Sequence, residues 1–291
     1  MSLAVEVRDL TVRYGRTTAV DRVSFDLQPG VIYGLLGRNG TGKTSLLSTI
    51  AAFQRASGGT IRVDGEDPYE NARVMASTCL IREGGDFLDE KTKDVLRYAA
   101  AVRPGWDADL AARLVDLFEL PMTKKPTQLS RGKRSALGVV VGLASRAPLT
   151  MFDEAYLGLD APSRYAFYDA LLEDYAEHPR TIVLSSHLIE EVERLFERVI
   201  ILDAGRVLVD EEAEALRSRG TTVTGPAAAV DELTAPWRVV ARKALGPTVQ
   251  AIVVEELPAD ARARAAAAGV ELGSVPLQDL FVHLTSPQGT P

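Results

Sequence analysis

The sequence is short of cysteine, of long apolar runs and of net positive charge. Cys79 is the single cysteine among 291 residues, which excludes an internal disulfide and a zinc site built from paired cysteines. The longest apolar stretch, residues 136–145, falls well below the roughly 20 residues that a membrane-spanning helix needs. The net charge of −7 excludes nucleic acid as a partner of the surface as a whole. Any basic residue that binds an anion must therefore act locally.

The composition is that of an ordinary globular protein, with 46% hydrophobic and 25% charged residues. Residues 3–27 carry two strand-like alternations that are separated by a turn at Tyr14-Gly15. Short apolar runs at 149–152, 181–186 and 199–202 alternate with helical segments farther along. This alternation predicts a parallel sheet covered by helices on both faces.

Two domains are predicted, at residues 1–219 and 220–291. The first contains a helical subdomain at about 88–145, in which Asp107 is expected to cap a helix. The apolar face predicted for that helix comprises Leu110, Leu114, Leu117 and Phe118. In the second domain, rich in Ala and Pro, the pattern predicts strand, helix, two strands, helix and strand, a split βαβ unit, and then a last helix. It is a small α+β appendage of unknown role.

Residues 37–44, GRNGTGKT, match the phosphate-binding pattern G-x-x-x-x-G-K-[ST] between an apolar run and a helical stretch. The glycines let backbone N–H groups surround phosphate oxygens, and the helix N-terminus adds positive potential. Lys43 is predicted to reach the β- and γ-phosphates, and the Thr44 hydroxyl to ligate Mg²⁺. The competing interpretation is a plain glycine turn with an exposed lysine. The predicted nucleotide-binding residues are Gly37, Arg38, Asn39, Gly40, Thr41, Gly42, Lys43, Thr44 and Ser45.

Polar side chains come after two other predicted strands. Asp153 and Glu154 come directly after 149–152, and His187 comes after 181–186. In open parallel sheets, ligands bind outside the carboxyl ends of the strands, so these groups are expected beside the phosphate loop. Asp153 suits Mg²⁺ binding, and Glu154 suits polarising a water for attack on the γ-phosphate. Taken singly, the acidic pair is commonly a loop start and the histidine a solvated residue.

With these motifs in order, residues 3–216 resemble the ATP-binding subunits of ABC transporters. LSRGK at 129–133 looks like the family's LSGGQ signature, and LTMFDEAYLGLD looks like its magnesium strand running into the D-loop, with Asp160 as the loop's aspartate. His187 in SSH matches the switch histidine, and Tyr14 lies where the family stacks an aromatic ring on adenine. The resemblance implies a P-loop NTPase with an N-terminal antiparallel β part, using ATP and Mg²⁺, with Glu154 and His187 as catalytic residues.

The resemblance also implies a dimer of ATPase subunits that work on a separate transmembrane permease, peripheral on the cytoplasmic face of the cell membrane. Each ATP would contact the phosphate loop of one subunit and the signature of the other. The signature residues are Ser130, Arg131, Gly132 and Lys133. Arg131, Lys133 and Arg134 crowd the start of a predicted helix, where cations oppose the helix dipole. That favours an external anion there over a solvated basic surface. The residue pattern of 157–193 is most similar to that of export-type systems. The resemblance thus implies export of a small molecule or peptide.

The sequence departs from the family's pattern at several motif positions. Arg131 and Lys133 replace a glycine and the glutamine of the signature, and Ala155 replaces a proline. No glutamine lies between residues 78 and 91, where the Q-loop should fall. Glu83 aligns best with that position and is assigned as a metal ligand beside Thr44 and Asp153, the alternative being an exposed loop residue. These changes bear on the rate and coupling of hydrolysis.

Two other functions fit parts of the sequence. A soluble ATPase acting on ribosomes or DNA would usually carry tandem ATPase halves or long coiled coils, which this acidic chain does not show. A nucleotide-binding regulator that no longer hydrolyses fits the altered signature and the missing glutamine. The presence of Lys43, Asp153, Glu154 and His187 favours an active ATPase over that regulator.

Overall fold

A computed structural model describes residues 2–254 and 257–285. Strands and helices alternate through the first half of the chain. In order they are β1 (Val5–Tyr14), β2 (Thr17–Leu27), β3 (Ile32–Leu36), α1 (Lys43–Ile50), β4 (Gly58–Val63), α2 (Ala72–Ala76), β5 (Thr78–Arg82), α3 (Thr92–Val102), α4 (Ala108–Leu117) and α5 (Arg131–Ala144). No helix in the described ranges is long and apolar enough to cross a membrane.

The second half begins with further strand–helix pairs and ends in a smaller sheet. The elements are β6 (Leu149–Asp153), α6 (Ala161–Glu177), β7 (Thr181–Ser186), α7 (Ile189–Val192), β8 (Arg198–Asp203), β9 (Arg206–Glu212), α8 (Ala213–Ser218), β10 (Thr221–Pro226), α9 (Ala227–Thr234), β11 (Val239–Leu245), β12 (Thr248–Val253), α10 (Ala259–Ala267), β13 (Glu271–Ser274) and α11 (Leu277–Thr285).

The N-terminal strands form an antiparallel sheet in the order β2-β1-β4. In β1 the apolar members of the alternation point into the core, so that Val5, Val7 and Leu10 are buried while Glu6 and Arg8 remain exposed. The same cluster of buried side chains includes Leu149 and Met151 of β6. The antiparallel β part predicted from residues 3–27 is therefore confirmed, and it shares one core with the neighbouring sheet.

The central sheet has six strands in the order β5-β6-β7-β3-β8-β9, and the pairs from β5 through β8 are parallel. Strands β3, β6 and β7 are buried along their whole length, as expected for strands with both faces covered. Since these three strands are neighbours and run the same way, their carboxyl ends meet at one edge. The predicted parallel α/β core is confirmed.

Helices α3, α4 and α5 occupy the region where a helical subdomain was predicted. Asp107 caps α4 as predicted, since its Oδ1 accepts a hydrogen bond from the Leu110 N–H at 2.7 Å. That bond is the main reason that the pKa of Asp107 lies below its ordinary value. Leu110, Leu114 and Phe118 are buried, but Leu117 is 51% exposed. The prediction of a core position was wrong for Leu117, because the buried stripe of this short helix is narrower than the apolar pattern.

A cluster of ion pairs joins the start of α4 to α6. Arg146 contacts the Asp107 carboxylate at 2.7 Å and the buried Asp174 carboxylate at 2.8 Å. Arg180 also pairs with Asp174, at 2.7 Å, and its burial lowers its pKa from the ordinary value. Removing one member of such a buried cluster would leave an uncompensated charge, which typically costs about 3–5 kcal/mol. The cluster therefore ties the start of α4 to α6.

The chain divides into two compact units. The larger unit runs to His187 and includes Arg194–Asp210, and the smaller comprises Leu188–Glu193 with the residues from Glu211 onward. The division thus falls at 210/211, whereas composition suggested 219/220. The six residues directly after His187 also join the smaller unit, because Glu193 accepts a hydrogen bond from the Leu277 N–H at 2.9 Å and from Arg217 at 2.7 Å.

The smaller unit has an antiparallel sheet in the order β11-β12-β10-β13. Helices α9 and α10 share a core with it that includes Val223, Val249 and Ala261. The observed order of strands and helices is the split βαβ unit that the pattern predicted. The predicted strand at residues 248–257 ends at Val253, and its residues 255–256 lie outside the described part of the chain.

Candidate active site

The glycine loop between β3 and α1 is shaped by close backbone contacts. Gly42 has a φ of 101°, and a Cβ at that position would lie 2.2 Å from the Ala19 carbonyl oxygen. A Cβ on Gly37 would lie 2.7 Å from the Leu202 carbonyl oxygen. Neither position accepts a side chain, so these two glycines of the phosphate-binding pattern are structural requirements of the loop.

Helix α1 begins at Lys43 without a side-chain cap and with no acidic residue in its first turn. The first N–H groups of a helix have no partner within it, so they face the loop as donors for an anion. Lys43 is 5% exposed, and its Nζ donates to the carbonyl oxygens of Gly37 at 2.8 Å and Arg38 at 3.2 Å. The loop and this lysine together form a cradle suited to phosphate groups.

Lys43, Glu154 and His187 lie in one continuous line. The Glu154 Oε1 is 3.2 Å from Lys43 Nζ and 3.1 Å from His187 Nδ1. The buried His187 Nδ1 does not have the alignment of a hydrogen bond with the carboxylate. It is therefore a donor or acceptor still to be satisfied by a further group. The structure brings together three of the residues predicted from three separate segments.

Glu154 has a φ of 52°, a left-handed conformation that is uncommon for a residue with a side chain. Ser185 on β7 holds this conformation from the neighbouring strand. Its Oγ accepts a hydrogen bond from the Glu154 N–H at 3.0 Å and donates one to the Asp153 Oδ1 at 2.6 Å. One fully buried hydroxyl thus positions both acidic residues. Sequence reasoning did not assign it, although a serine ending a buried apolar strand was the available signal.

Ser185→Ala is expected to lower kcat about tenfold and to raise the Mg²⁺ concentration needed for half-maximal rate. The substitution leaves the Glu154 N–H without its acceptor and the Asp153 carboxylate free to turn, and an unpaired buried donor costs about 1–3 kcal/mol. ATP affinity should change little, because the Lys43 loop is untouched. ATPase rates against ATP and against Mg²⁺ test this.

Ser145→Ala is the matched control for Ser185→Ala. Ser145 is equally buried, but its Oγ donates to the Gly142 carbonyl oxygen near the end of α5 and accepts from the Ala147 N–H, away from the acidic pair. Wild-type kcat and Mg²⁺ dependence in Ser185→Ala would show that Ser185 does not position the acidic pair.

The cleft at the glycine loop has a volume of about 430 Å³ and is lined by Asn39, Gly40, Thr44, Glu83 and Glu154 among others. Glu83 therefore does lie beside the phosphate loop. Tyr14 is close by, with its hydroxyl 3.3 Å from Ser45 Oγ and donating to Gln54 at 2.5 Å. Its ring is 53% exposed, which leaves a face for stacking on a base.

Three of the signature residues, Ser130, Gly132 and Lys133, line a different cavity from that of the phosphate loop. Ser130 caps α5 by accepting a hydrogen bond from the Lys133 N–H at 3.2 Å, and Ser130, Gly132 and Asp160 border a small cavity of about 130 Å³. Asp160 caps α6, and hydrogen bonds from the Ser163 hydroxyl and N–H lower its pKa from the ordinary value. Among the described residues, those lining this cavity do not line the glycine-loop cleft.

The residues present fit Mg-ATP. The uncapped helix start and the unsatisfied His187 Nδ1 suit phosphate oxygens, and Thr44 and Asp153 offer the oxygen ligands that Mg²⁺ prefers. In the described ranges, three or more His, Cys, Asp or Glu side chains do not gather into a cluster that could hold a metal alone. An ion here would be held jointly with nucleotide phosphates, as Mg²⁺ usually is.

Comparison with known proteins agrees with this geometry. The family profile described as "ABC transporter" matches residues 20–157. The ABC transporter ATP-binding protein YtrB of Bacillus subtilis is 32% identical over 200 residues, which cover 68% of each chain. The methionine import ATP-binding protein MetN of Burkholderia thailandensis is 29% identical over 90% of this chain and 75% of its own.

Solved structures show the same fold. One described as the ATP-binding subunit of an ABC transporter has a TM-score of 0.65 at 26% identity, over 73% of this chain and 91% of that one. A dimeric ATP-binding cassette bound to ADP and Pi has a TM-score of 0.63 at 19% identity, over 72% of this chain and 98% of that one.

Proposed function

The chain belongs to the ABC transporter family of ATP-binding proteins, and from this premise we propose that it hydrolyses Mg-ATP to drive a conformational change in a partner membrane permease. Its domain is an ATPase domain, and ATP-binding subunits of this family dimerise and work with a permease. The observation that carries the proposal is the line of Lys43, Glu154 and His187 beside the uncapped start of α1.

Each residue of that line has a distinct task in hydrolysis. Lys43 and the loop N–H groups bind the β- and γ-phosphates. Thr44 and Asp153 would hold a Mg²⁺ ion, which would supply positive charge against the phosphates. Glu154 orients and polarises the attacking water as general base. His187, next to Glu154, donates a hydrogen bond to the γ-phosphate. Glu83, which lines the cleft, would add a further carboxylate oxygen near the ion.

The signature acts on the ATP of a second ATPase subunit, which is either another copy of this chain or a close relative. Its cavity shares no described lining residue with the glycine-loop cleft of the same chain, so its nucleotide would come from the partner. Ser130 and the Gly132 N–H are placed at a helix start, where an anion from a partner is favoured. Two ATP molecules would thus be enclosed between two subunits.

A groove beside the cleft is suited to the permease. It has a volume of about 370 Å³ and carries exposed apolar side chains at Phe53, Leu88, Tyr98 and Val102. Exposed apolar side chains gathered at one groove are typical of interaction sites. The loop after β5 lines the cleft with Glu83 and the groove with Leu88, so it joins the two. An amphipathic cytoplasmic helix of the permease would lie in this groove.

Leu88→Asp is expected to lower co-purification of a multispanning membrane protein by about tenfold or more, the usual effect of losing an apolar anchor. ATP binding by the isolated subunit should remain, since Leu88 does not line the cleft. Leu117→Asp is the matched control, because Leu117 is 51% exposed on α4 and lies outside the groove. Purification from native membranes with detergent tests both. Equal recovery of the membrane protein with the two variants would show that the permease does not bind in this groove.

Export of a small molecule or peptide is the direction that we propose, with the chain peripheral on the inner face of the membrane through its partner. The resemblance of residues 157–193 to export-type systems supports it, whereas the MetN relative is named for import. Cells that overproduce the ATPase and its permease should tolerate more of an exported toxic compound. The opposite result, increased sensitivity, would indicate import.

A further inference from the structure

Two residues that depart from the family's pattern are partners in the structure. Arg131, the first residue of α5, forms an ion pair through its Nη2 with the Glu83 Oε1, although the two are 48 residues apart in sequence. Arg131 stands in the signature and Glu83 lines the cleft of the glycine loop. Within one chain, the pair therefore connects the signature, which is proposed to contact the ATP of a partner subunit, to the cleft that is proposed to bind the chain's own ATP.

The other two cations at the start of α5 donate hydrogen bonds to backbone carbonyl oxygens. Lys133 Nζ donates to the Phe118 carbonyl oxygen at 2.6 Å, and Arg134 Nε donates to the Pro126 carbonyl oxygen at 3.1 Å. The Arg131 side chain, in contrast, is 70% exposed. Of the three basic residues that were expected to bind an external anion, Arg131 thus has the most exposed side chain, while Lys133 lines the signature cavity.

Glu83 provides the negative charge that compensates the Arg131 guanidinium. The first turn of α5 contains no acidic residue, so a guanidinium there is opposed by the helix dipole and has no local counter-charge. Glu83, the residue directly after β5, supplies that charge. Its side chain is 45% exposed, so the pair is screened by solvent and can exchange partners without a large penalty.

We propose that the Arg131–Glu83 ion pair is a latch, closed in the nucleotide-free subunit, that opens when Arg131 turns to the γ-phosphate of ATP bound by a second subunit. This inference rests on the proposed ATP-enclosing dimer and concerns its control. In the closed latch Arg131 is engaged within its own chain. A γ-phosphate offers it a denser negative charge and more oxygen acceptors than one carboxylate, which favours the exchange. Glu83 is then released toward the cleft of its own chain.

The latch predicts opposite effects for its two members on ATP-driven dimerisation. Glu83→Gln removes the competitor, so the subunit concentration at half-dimerisation should fall about two- to fivefold, in keeping with a solvent-screened pair. Arg131→Gln removes the phosphate ligand, so that concentration should rise about tenfold or more, as for a charge-assisted hydrogen bond. Both are placed in a Glu154→Gln background, which slows hydrolysis, and dimers are measured by analytical ultracentrifugation with saturating Mg-ATP.

Arg113→Gln in the same background is the matched control, since Arg113 is an exposed arginine of α4 that pairs with Glu173 at 3.7 Å, away from the signature. It should dimerise like the background protein. ADP in place of ATP should abolish the difference between Arg131→Gln and the background, because the γ-phosphate is missing. Thermal unfolding without nucleotide verifies that each variant is folded.

The outcomes separate this inference from the proposed function. If Arg131→Gln and Glu83→Gln promote dimerisation equally, Arg131 hinders dimerisation and does not bind the γ-phosphate, and the inference fails. If both dimerise like the background protein, the ion pair controls nothing and the inference also fails. A background protein that neither binds ATP nor dimerises would instead contradict the proposed function itself.

Discussion

Glu154→Gln is expected to bind Mg-ATP and to hydrolyse it about 10²–10⁴ times more slowly than the wild-type protein, the usual contribution of a general base. The side chain is 16% exposed and lies between Lys43 and His187. Glutamine keeps the shape and cannot accept the proton of the attacking water. Since hydrolysis would normally open the ATP-bound dimer, the variant should accumulate as that dimer, which size-exclusion chromatography with ATP would detect.

Glu177→Gln is the control for this substitution, because Glu177 is an exposed carboxylate at the end of α6 and does not line the glycine-loop cleft. It should hydrolyse ATP at the wild-type rate and should not accumulate dimers. A Glu154→Gln variant that stays monomeric with near-normal turnover would show that Glu154 is not the general base. Single-turnover measurements with limiting ATP would separate slow chemistry from slow product release.

Lys43→Ala is expected to lose ATP affinity and ATPase rate together. In the proposed function Lys43 meets phosphate charge in both the ground state and the transition state, so we expect its loss to weaken binding about 10–100-fold and to slow turnover by about 10²–10³. The Nζ also holds the Gly37 carbonyl oxygen at 2.8 Å and neutralises Glu154. Removing it therefore loosens the loop as well. Equilibrium binding of a fluorescent ATP analogue and steady-state ATPase assays measure both effects.

Lys91→Ala serves as the control for Lys43→Ala, because Lys91 is an exposed lysine just before α3, outside the cleft. It should bind ATP normally. Thermal unfolding of nucleotide-free Lys43→Ala shows whether the loop still folds. A folded Lys43→Ala protein with unchanged ATP affinity would mean that the glycine loop does not bind phosphate.

Local chain geometry made parts of the site predictable from sequence. The glycine loop needs residues without side chains at Gly37 and Gly42, which lie within one short stretch of the sequence. The capping of α4 by Asp107 involves a partner three residues away. Short apolar runs identified β6 and β7, and neighbouring parallel strands bring the residues after their carboxyl ends to one edge of the sheet. The acidic pair and the histidine could therefore be placed near the phosphate loop from the sequence.

Contacts between distant segments were not predictable in the same way. The hydrogen bonds of Ser185 to Asp153 and Glu154 depend on the pairing of β6 with β7, and the ion pair of Arg131 with Glu83 depends on how α5 lies beside the loop after β5. The exposure of Leu117 and the hydrogen bond from Lys133 to the Phe118 carbonyl oxygen depend on which face of each helix meets the core.

The sequence by itself determined the α/β class, the phosphate loop and the identity of the acidic residues and histidine at the strand ends, because each depends on residues adjacent in the chain. Only the tertiary structure decided that the smaller unit includes Leu188–Glu193, that Ser185 positions the acidic pair, and that Arg131 is held by Glu83. The physical reason is that side-chain partners in these cases come from segments separated by tens of residues. Their meeting is set by strand order and helix packing, which no local pattern encodes.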